Sequence, residues 1–599
     1  MLSTAATASR PGPSGLWCIL RPSSVRRVNS LRGFLAELAV LLTVVLAGLL
    51  LWLFHAKAWD LGRHTPVLDD ESAQVAVAAR ELAEHGRLET PFAYPLELSR
   101  SGKPPWPLAL VQPGLVLTEA AFFRAVPKVI HIGGILTFNL QVPQQREWLT
   151  LLVPFFCYLS LGALLTLVAS RLLGYYAPQV SALERGVASF TVGLAFLLDS
   201  EAQHLASRAL PDLAFALGLT SAFASLAVGR TPTRRPFLFG LMLGVVVAFH
   251  TAMVWLVPVL AVAATALAPE RRGRVLVLTL IGSALPLVPW WVYQWRTFGA
   301  PASDLARLML WDGIQSRSWF SLIHLPDPPA LPHGVEAARL LAGKVARRLP
   351  DLILALATGP RALWAGALVL WALLARPPRT LAVAAWGIVA AVGLGAVAAA
   401  AAVPAGQPLF AIRVPLEAAG TLAVWGLIAL APATLIGPRL DRVLKVAVVV
   451  VALGWGAQQT LRGNTEAVAG AEGQTVTSVL AIRDLANSLR QRVPMDEVVM
   501  SNAGARLAWY TRRPFIHLAL SPADLGACRS RLEFRHVLLV LRDADQAWPA
   551  WREVVEHPEE APRHPEWNII GERHWQGLDG SLVVWLELGP AQGSLAAAE

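Results

Sequence analysis

The sequence predicts an α-helical polytopic membrane protein of about eleven transmembrane helices, with a small extracytoplasmic α/β domain at its C-terminal end. Three observations carry that prediction. Only 15% of the 599 residues are charged and 55% are hydrophobic, where soluble domains carry about a quarter charged residues. Apolar runs of about 20 residues recur over the first 460 positions, the length that crosses a bilayer as a helix. Beyond residue 460 the spanning pattern stops and charge returns. Mean hydropathy is +0.50.

Each segment follows in order. Residues 1–32 hold Arg10, Arg21, Arg26, Arg27 and Arg32 and no acid, so they are expected to stay cytoplasmic. No small-residue cleavage site follows, and the run at about 33–55 is read as a retained anchor that exits outward. Further apolar runs lie at about 148–171, 184–200, 207–229, 236–250, 252–269, 274–298, 352–374, 380–403, 414–436 and 443–459. If each crosses once, the cytoplasmic loops carry Arg171 and Arg185; Arg230, Arg234 and Arg235; Arg271, Arg272 and Arg274; Arg376 and Arg379; and Arg439, Arg442 and Lys445. All are basic, as the positive-inside rule demands. Residues 108–127 are long enough to span, but counting them inverts every later loop. With Pro113, Glu119 and Arg124 inside it, that stretch reads as a helix lying in the interface.

The domain plan is therefore a basic N-terminus (1–32), a transmembrane domain (33–459) with external loops 56–147 and 299–351, and an external α/β domain (460–599). Within the last, "EVVMS" (497–501), "RHVLLVL" (535–541) and "SLVVWLEL" (581–588) read as strands. The formal charge of +10 sits mostly in the short arginine loops, so it signals orientation and no nucleic-acid partner. Cys18, Cys157 and Cys528 are too scattered for a disulfide framework or metal cluster. Abundant Ala, Arg, Leu and Trp with little Lys suggests a bacterial inner-membrane protein of a high-GC genome.

The first external loop holds the chemistry. "HTPVLDDESAQVAVAARELAEHGRLETP" (64–91) sets Asp69, Asp70 and Glu71 where the chain leaves the bilayer. Asp70 or Glu71 is expected to cap the helix that follows, which should end at Gly86. A carboxylate facing an external cavity can also serve as general base on an incoming hydroxyl. In "SGKPPWP" (101–107) two prolines hold the chain extended beside Lys103, placed either to snorkel or to hold a lipid phosphate.

The order "DE", a short helix ending in Gly, "TP" and "KPPW" resembles the first external loop of the C-type (GT-C) membrane glycosyltransferases. The nearest branch is family 39-like, with the protein O-mannosyltransferases and lipid A aminoarabinose transferases. "GLMLGVVVAFHTAMVWLVPVL" (240–260), "PLVPWWVYQWRTFGAPASD" (286–304), "LFAIRVPLEAAGTLAVWGL" (409–427) and "VVMSNAGARLAWYTRRPFIHL" (498–518) resemble later landmarks, in order. The resemblance implies transfer of a hexosyl or pentosyl unit from a polyprenyl-phosphate sugar to an extracytoplasmic hydroxyl of a glycan, lipid or protein, with inversion. It implies a catalytic acid at Asp70, with Asp69 as the register alternative and Glu71 as a further candidate. Donor-phosphate cations are expected among Lys103, Arg63, Arg208, His250 and Arg413, and a second acidic site among Asp199, Glu201 and Asp212. No redox cofactor is required; a divalent metal serves some relatives, and no His/Asp cluster here demands one. The chain departs from the pattern at Ala73, where the aminoarabinose branch has Arg, at His250 for a lysine, and at Val414 for the tyrosine of "RY". The rival classes are a non-catalytic relative that keeps the scaffold, and a lipid-linked sugar transporter or flippase. A transporter predicts charge at the membrane midplane and an inverted repeat; here the acids gather at outer helix ends.

Overall fold

The structure, a computed structural model, describes residues 24–59, 61, 67–126, 129–132, 136–139, 141–177, 180–228, 230–300, 308–314, 318–327, 332–356, 361–375, 377–402, 409–430, 437–473, 479–541, 548–556, 569–576 and 581–590. Arg63, Cys18 and Arg376 lie outside these residues.

Every apolar run of the sequence forms a helix: Ser24–Ala58, Leu152–Tyr176, Ala182–Leu197, Asp212–Val228, Pro236–Phe249, Leu256–Ala266, Arg272–Phe298, Arg361–Leu374, Arg379–Ala401, Leu409–Leu430 and Pro438–Gly473. Among the described residues five stretches are long and apolar enough to cross a membrane: Leu35–Ala58, Pro143–Tyr176, Pro269–Phe298, Arg379–Ala401 and Leu409–Ile428. This is a multi-pass membrane body. The Pro236–Phe249 helix has 14 residues, about 21 Å at 1.5 Å per residue, less than the roughly 30 Å hydrocarbon core.

Polar contacts sort the helix ends into two groups. On one side Arg171 meets Glu37 at 3.0 Å, Lys445 meets Glu184 at 3.2 Å, and the Tyr176 and Thr380 hydroxyls lie 2.9 Å apart. On the other, Thr460 donates to the Leu198 carbonyl (2.5 Å), Lys344 to that of Ala401 (2.7 Å), and Tyr293 to that of Leu88 (2.7 Å). The first group joins starts of odd-numbered apolar helices to one another or to the end of an even-numbered one. The second joins ends of odd-numbered helices to one another and to the external loops. Alternating crossings require this arrangement. The Pro236–Phe249 and Arg272–Phe298 helices pack closest: a Cβ on Gly240 would stand 2.1 Å from the Thr279 carbonyl oxygen, and one on Gly282 2.3 Å from that of Phe237. Small residues at such crossings let backbones touch where no hydrophobic effect drives association. Within 108–127 only Pro113–Ala125 is helical, 13 residues or about 20 Å. Its Gly114 rests on the Ala248 backbone.

The part outside the helical bundle, expected on the outer face, is built on a six-stranded sheet in the order Phe92–Ala93, Phe515–His517, Val499–Ser501, His536–Leu541, Leu582–Leu588, Ile569–Gln576. The first four strands pair in parallel, and Leu582–Leu588 pairs antiparallel with both of its neighbours. All three runs read as strands are present. The His536–Leu541 strand is buried along its whole length, which suits a continuous apolar run covered on both faces. The edge strand Phe92–Ala93 comes from the first external loop, so loop and tail share one sheet. One face packs Val499, Phe515, Leu538 and Val540 under the helices Asp70–His85, Val479–Arg492 and Gly504–Thr511. The other packs Met500, Ile516, Val537 and Leu539 against Trp106, Leu98, Leu525 and Trp551.

Candidate functional site

The site starts from the Asp70–His85 helix. The cap is Asp69, not the expected Asp70 or Glu71: those two are already helical, while Asp69 is in extended backbone and accepts the Ser72 N–H at 2.8 Å; Gly86 closes the helix with φ 73° and its own N–H on the Leu82 carbonyl. A left-handed residue is what glycine supplies cheaply. Between the caps, "SAQVAVAA" gives the helix two apolar faces. Leu68, Ala73, Ala76 and Val77 join the external core. Val75, Ala78 and Ala79 meet Leu115, Val116, Ala120 and Val153. The helix is thus wedged between the membrane body and the external domain, with its acidic first turn at the junction.

There each aspartate meets an arginine from a distant element. Arg208, from the turn before the Asp212–Val228 helix, reaches Asp69 Oδ2 with Nε at 2.5 Å and Glu71 Oε2 with Nη2 at 3.4 Å. Arg506, from the Gly504–Thr511 helix, holds Asp70 with Nε at 2.9 Å from Oδ1 and Nη2 at 3.4 Å from Oδ2. The carboxylates keep access to solvent: Asp69, Asp70 and Glu71 side chains are 30%, 42% and 54% exposed. Desolvation by the surrounding chain, with the charges of Asp69, Asp212 and Asp70, raises the Glu71 carboxyl above its ordinary range; Arg208 opposes this. Asp212 is thus close to the cluster. It lies 3.4 Å from His250 Nε2, both side chains buried. His250 occupies the break between the Pro236–Phe249 and Leu256–Ala266 helices, and the next residue, Thr251, is tied through its N–H and hydroxyl to Gln112.

The remaining candidates gather elsewhere. Arg413 is buried and pairs with Asp199 (2.6 Å), Glu201 (2.7 Å) and Glu417 (3.1 Å), while Arg361 binds Glu417 at 2.9 Å. An expected phosphate cation and two members of the expected second acidic site therefore form one network. A small cavity of about 40 Å³ beside it is lined by Asp199, Arg361 and Glu417 with Trp364, Trp455 and Gln459. Lys103 is exposed and joins neither cluster. Its hairpin packs through Trp106 on the sheet face opposite the Asp70–His85 helix, and Gly102 abuts the Arg531 carbonyl. Arg63 lies outside the described residues.

Sequence reasoning missed the wall that the external domain supplies. Next to Asp70, Gln74 donates to the Tyr94 hydroxyl at 2.5 Å, and the Tyr94 ring stacks on His517 at 5.2 Å. His517 Nδ1 lies 3.0 Å from His324 Nε2. Burial holds His517 down to about 3, with Arg506 pressing the same way against a hydrogen bond to the Leu518 backbone; burial also holds His324 well below its usual value. Both rings are neutral, one donating to the other. Burial, helped by the charge of Asp70, raises the Tyr94 phenol, so it stays protonated. These residues come from four separate segments, and no spacing in the sequence links them.

Among the described residues no group of three or more His, Cys, Asp or Glu side chains converges as a metal-ligand set. Asp69 and Asp70 instead spend their oxygens on guanidinium groups.

No family model matches the chain, and no curated protein matches it. Solved structures resemble it at low identity. One is the archaeal oligosaccharyltransferase AglB from Archaeoglobus fulgidus in complex with an inhibitory peptide and a dolichol-phosphate: 12% identity over 91% of this chain and 74% of that one, TM-score 0.49. Another is ArnT from Cupriavidus metallidurans bound to undecaprenyl phosphate: 13% identity over 91% and 97%, TM-score 0.47.

Proposed function

We propose that this chain is a C-type membrane glycosyltransferase, which moves a sugar from a polyprenyl-phosphate donor to an extracytoplasmic hydroxyl. The carrying observation is the Asp69–Asp70 pair at the junction of membrane body and external domain, each carboxylate partly exposed and held by an arginine from another element. The motif order of the sequence supports the same reading.

Asp70 takes the acceptor O–H proton as the oxygen attacks the anomeric carbon. The bond from that carbon to the phosphate oxygen breaks, and its electron pair leaves on polyprenyl phosphate, with inversion. The leaving group gains negative charge, which a fixed cation stabilises. Arg208, which bridges Asp69 and Glu71 near the bilayer edge, is the candidate for that task. Arg413 is neutralised by three carboxylates and serves instead to hold helix ends together.

The test uses the full chain purified in detergent with a panel of polyprenyl-phosphate hexoses and pentoses, following release of free polyprenyl phosphate. Wild-type turnover that collapses in Asp70→Asn supports the reaction class and the base together. Undiminished turnover in Asp70→Asn rejects the base. Release from no donor by wild type, with no polyprenyl-phosphate binding, rejects the transferase reading in favour of the transporter.

A further inference from the structure

We propose that Arg506 is a positioning residue for Asp70, so that the external domain completes the site of the membrane body. The inference rests on Asp70 acting as base, as proposed above. A guanidinium fork on both oxygens of one carboxylate fixes its plane as well as its charge. Asp70 sits in the first turn of its helix, where Asp69 is already committed to the cap and to Arg208. Rotation about the Asp70 side chain is therefore restrained by Arg506.

Arg506 is itself held. Its helix, Gly504–Thr511, lies along the Asp70–His85 helix with Ala505 and Ala508 buried in the core that holds Ala73 and Ala76. Arg80, fully buried, donates to the Trp509 carbonyl at 2.6 Å and the Ala508 carbonyl at 3.2 Å, with its guanidinium 5.2 Å from the Trp509 ring centre. It thus closes the helix end with the charge that the end's dipole favours. Tyr510 donates to Glu147 at 2.5 Å, and Arg483 holds the other oxygen at 2.6 Å. Arg512 meets Glu84 at 3.3 Å, at the far end of the same interface. The Arg506 side chain is only 12% exposed while Asp70 is 42% exposed. The cation is fixed from behind and the carboxylate faces outward.

An ion pair that merely docks two domains has the same geometry, so the test separates docking from positioning. Donor turnover and melting temperature are measured for full-length wild type, Arg506→Met, Arg506→Lys and Arg512→Ala. Arg512→Ala breaks a pair in the same interface without touching the site. Positioning predicts that Arg506→Met lowers kcat by about 100-fold, the order of loss that a misplaced catalytic group causes, with donor KM nearly unchanged. Arg506→Lys, which keeps the charge and loses the fork, recovers part of kcat. Arg512→Ala loses melting temperature but keeps kcat. The proposal falls if Arg506→Lys or a folded Arg506→Met turns over like wild type, or if Arg512→Ala loses as much kcat. A fully active Asp70→Asn instead removes the base assignment beneath it, a distinct result.

Discussion

Two acid–arginine clusters lie near the same end of the bundle, and they are built in opposite ways. Around Arg413 one guanidinium, 7% exposed, is enclosed by Asp199, Glu201 and Glu417. The cation is at the centre and the acids serve it. Around Asp69–Asp70–Glu71 the acids are at the centre, partly open to solvent, and arginines from two other elements serve them. A buried cation with its carboxylates is a structural clamp, because removing one partner strands uncompensated charge. Partly exposed carboxylates held from behind are available for chemistry. The count of charges does not tell these apart; which sign is enclosed does.

The first way to break this contrast is Asp70→Asn. Loss of a general base costs about 10²- to 10⁴-fold in turnover, measured as polyprenyl phosphate released, with the melting temperature of wild type retained. The second is Arg413→Met. It should cost about 3–5 kcal/mol of stability, visible as a lowered melting temperature and poor recovery from detergent extraction. An Arg413→Met protein that melts like wild type yet fails to turn over would move Arg413 into the site and erase the distinction. Tyr510→Phe sharpens the picture from the interface side. It leaves buried Glu147 one donor short, at about 1–3 kcal/mol, and a melting curve read against wild type checks it.

Smaller effects follow from the first loop. Glu97 is buried under Tyr94, and burial pushes its carboxyl up to about 7, against the pull of the Tyr94 N–H. A raised folded value stabilises below the ordinary value near 4.5 and loses that contribution as pH rises through 7. The neutral His517 and His324 rings work the other way, so the reading is a difference: between pH 5 and 7 the melting temperature of wild type should fall relative to that of Glu97→Gln. Lys103→Ala is the smallest. The lysine is exposed and stands apart from both clusters, so stability should stay within about 0.5 kcal/mol and kcat near wild type. A large rise in donor KM would restore Lys103 as a phosphate ligand.

Much of the fold was legible. Apolar length and basic loops gave eleven helices whose ends meet in the alternation the charges implied. "HVLLVL" gave the central strand, and Gly86 gave the far end of the helix between the domains, while its cap fell on Asp69, one residue before the two expected. The Phe92–Ala93 strand was not legible: two residues carry no period, and its partner Phe515 is far away in the chain. Nor was Arg506, because its meaning depends on a carboxylate 436 positions earlier. Lys103 was expected to hold the donor phosphate on the resemblance alone; in the fold its neighbour Trp106 packs on the sheet face opposite the Asp70–His85 helix.

By itself the sequence determined which segments are helices in a membrane, where the acids leave it, and where chain reversals fall. Those follow from transfer free energy, capping and loop charge, all local properties of a chain. Tertiary structure alone decided which arginine serves which acid: Arg413 for Asp199 and Glu201, Arg208 for Asp69, Arg506 for Asp70. Charge pairing inside a fold is set by distance in space and by exposure, and neither is written along the chain.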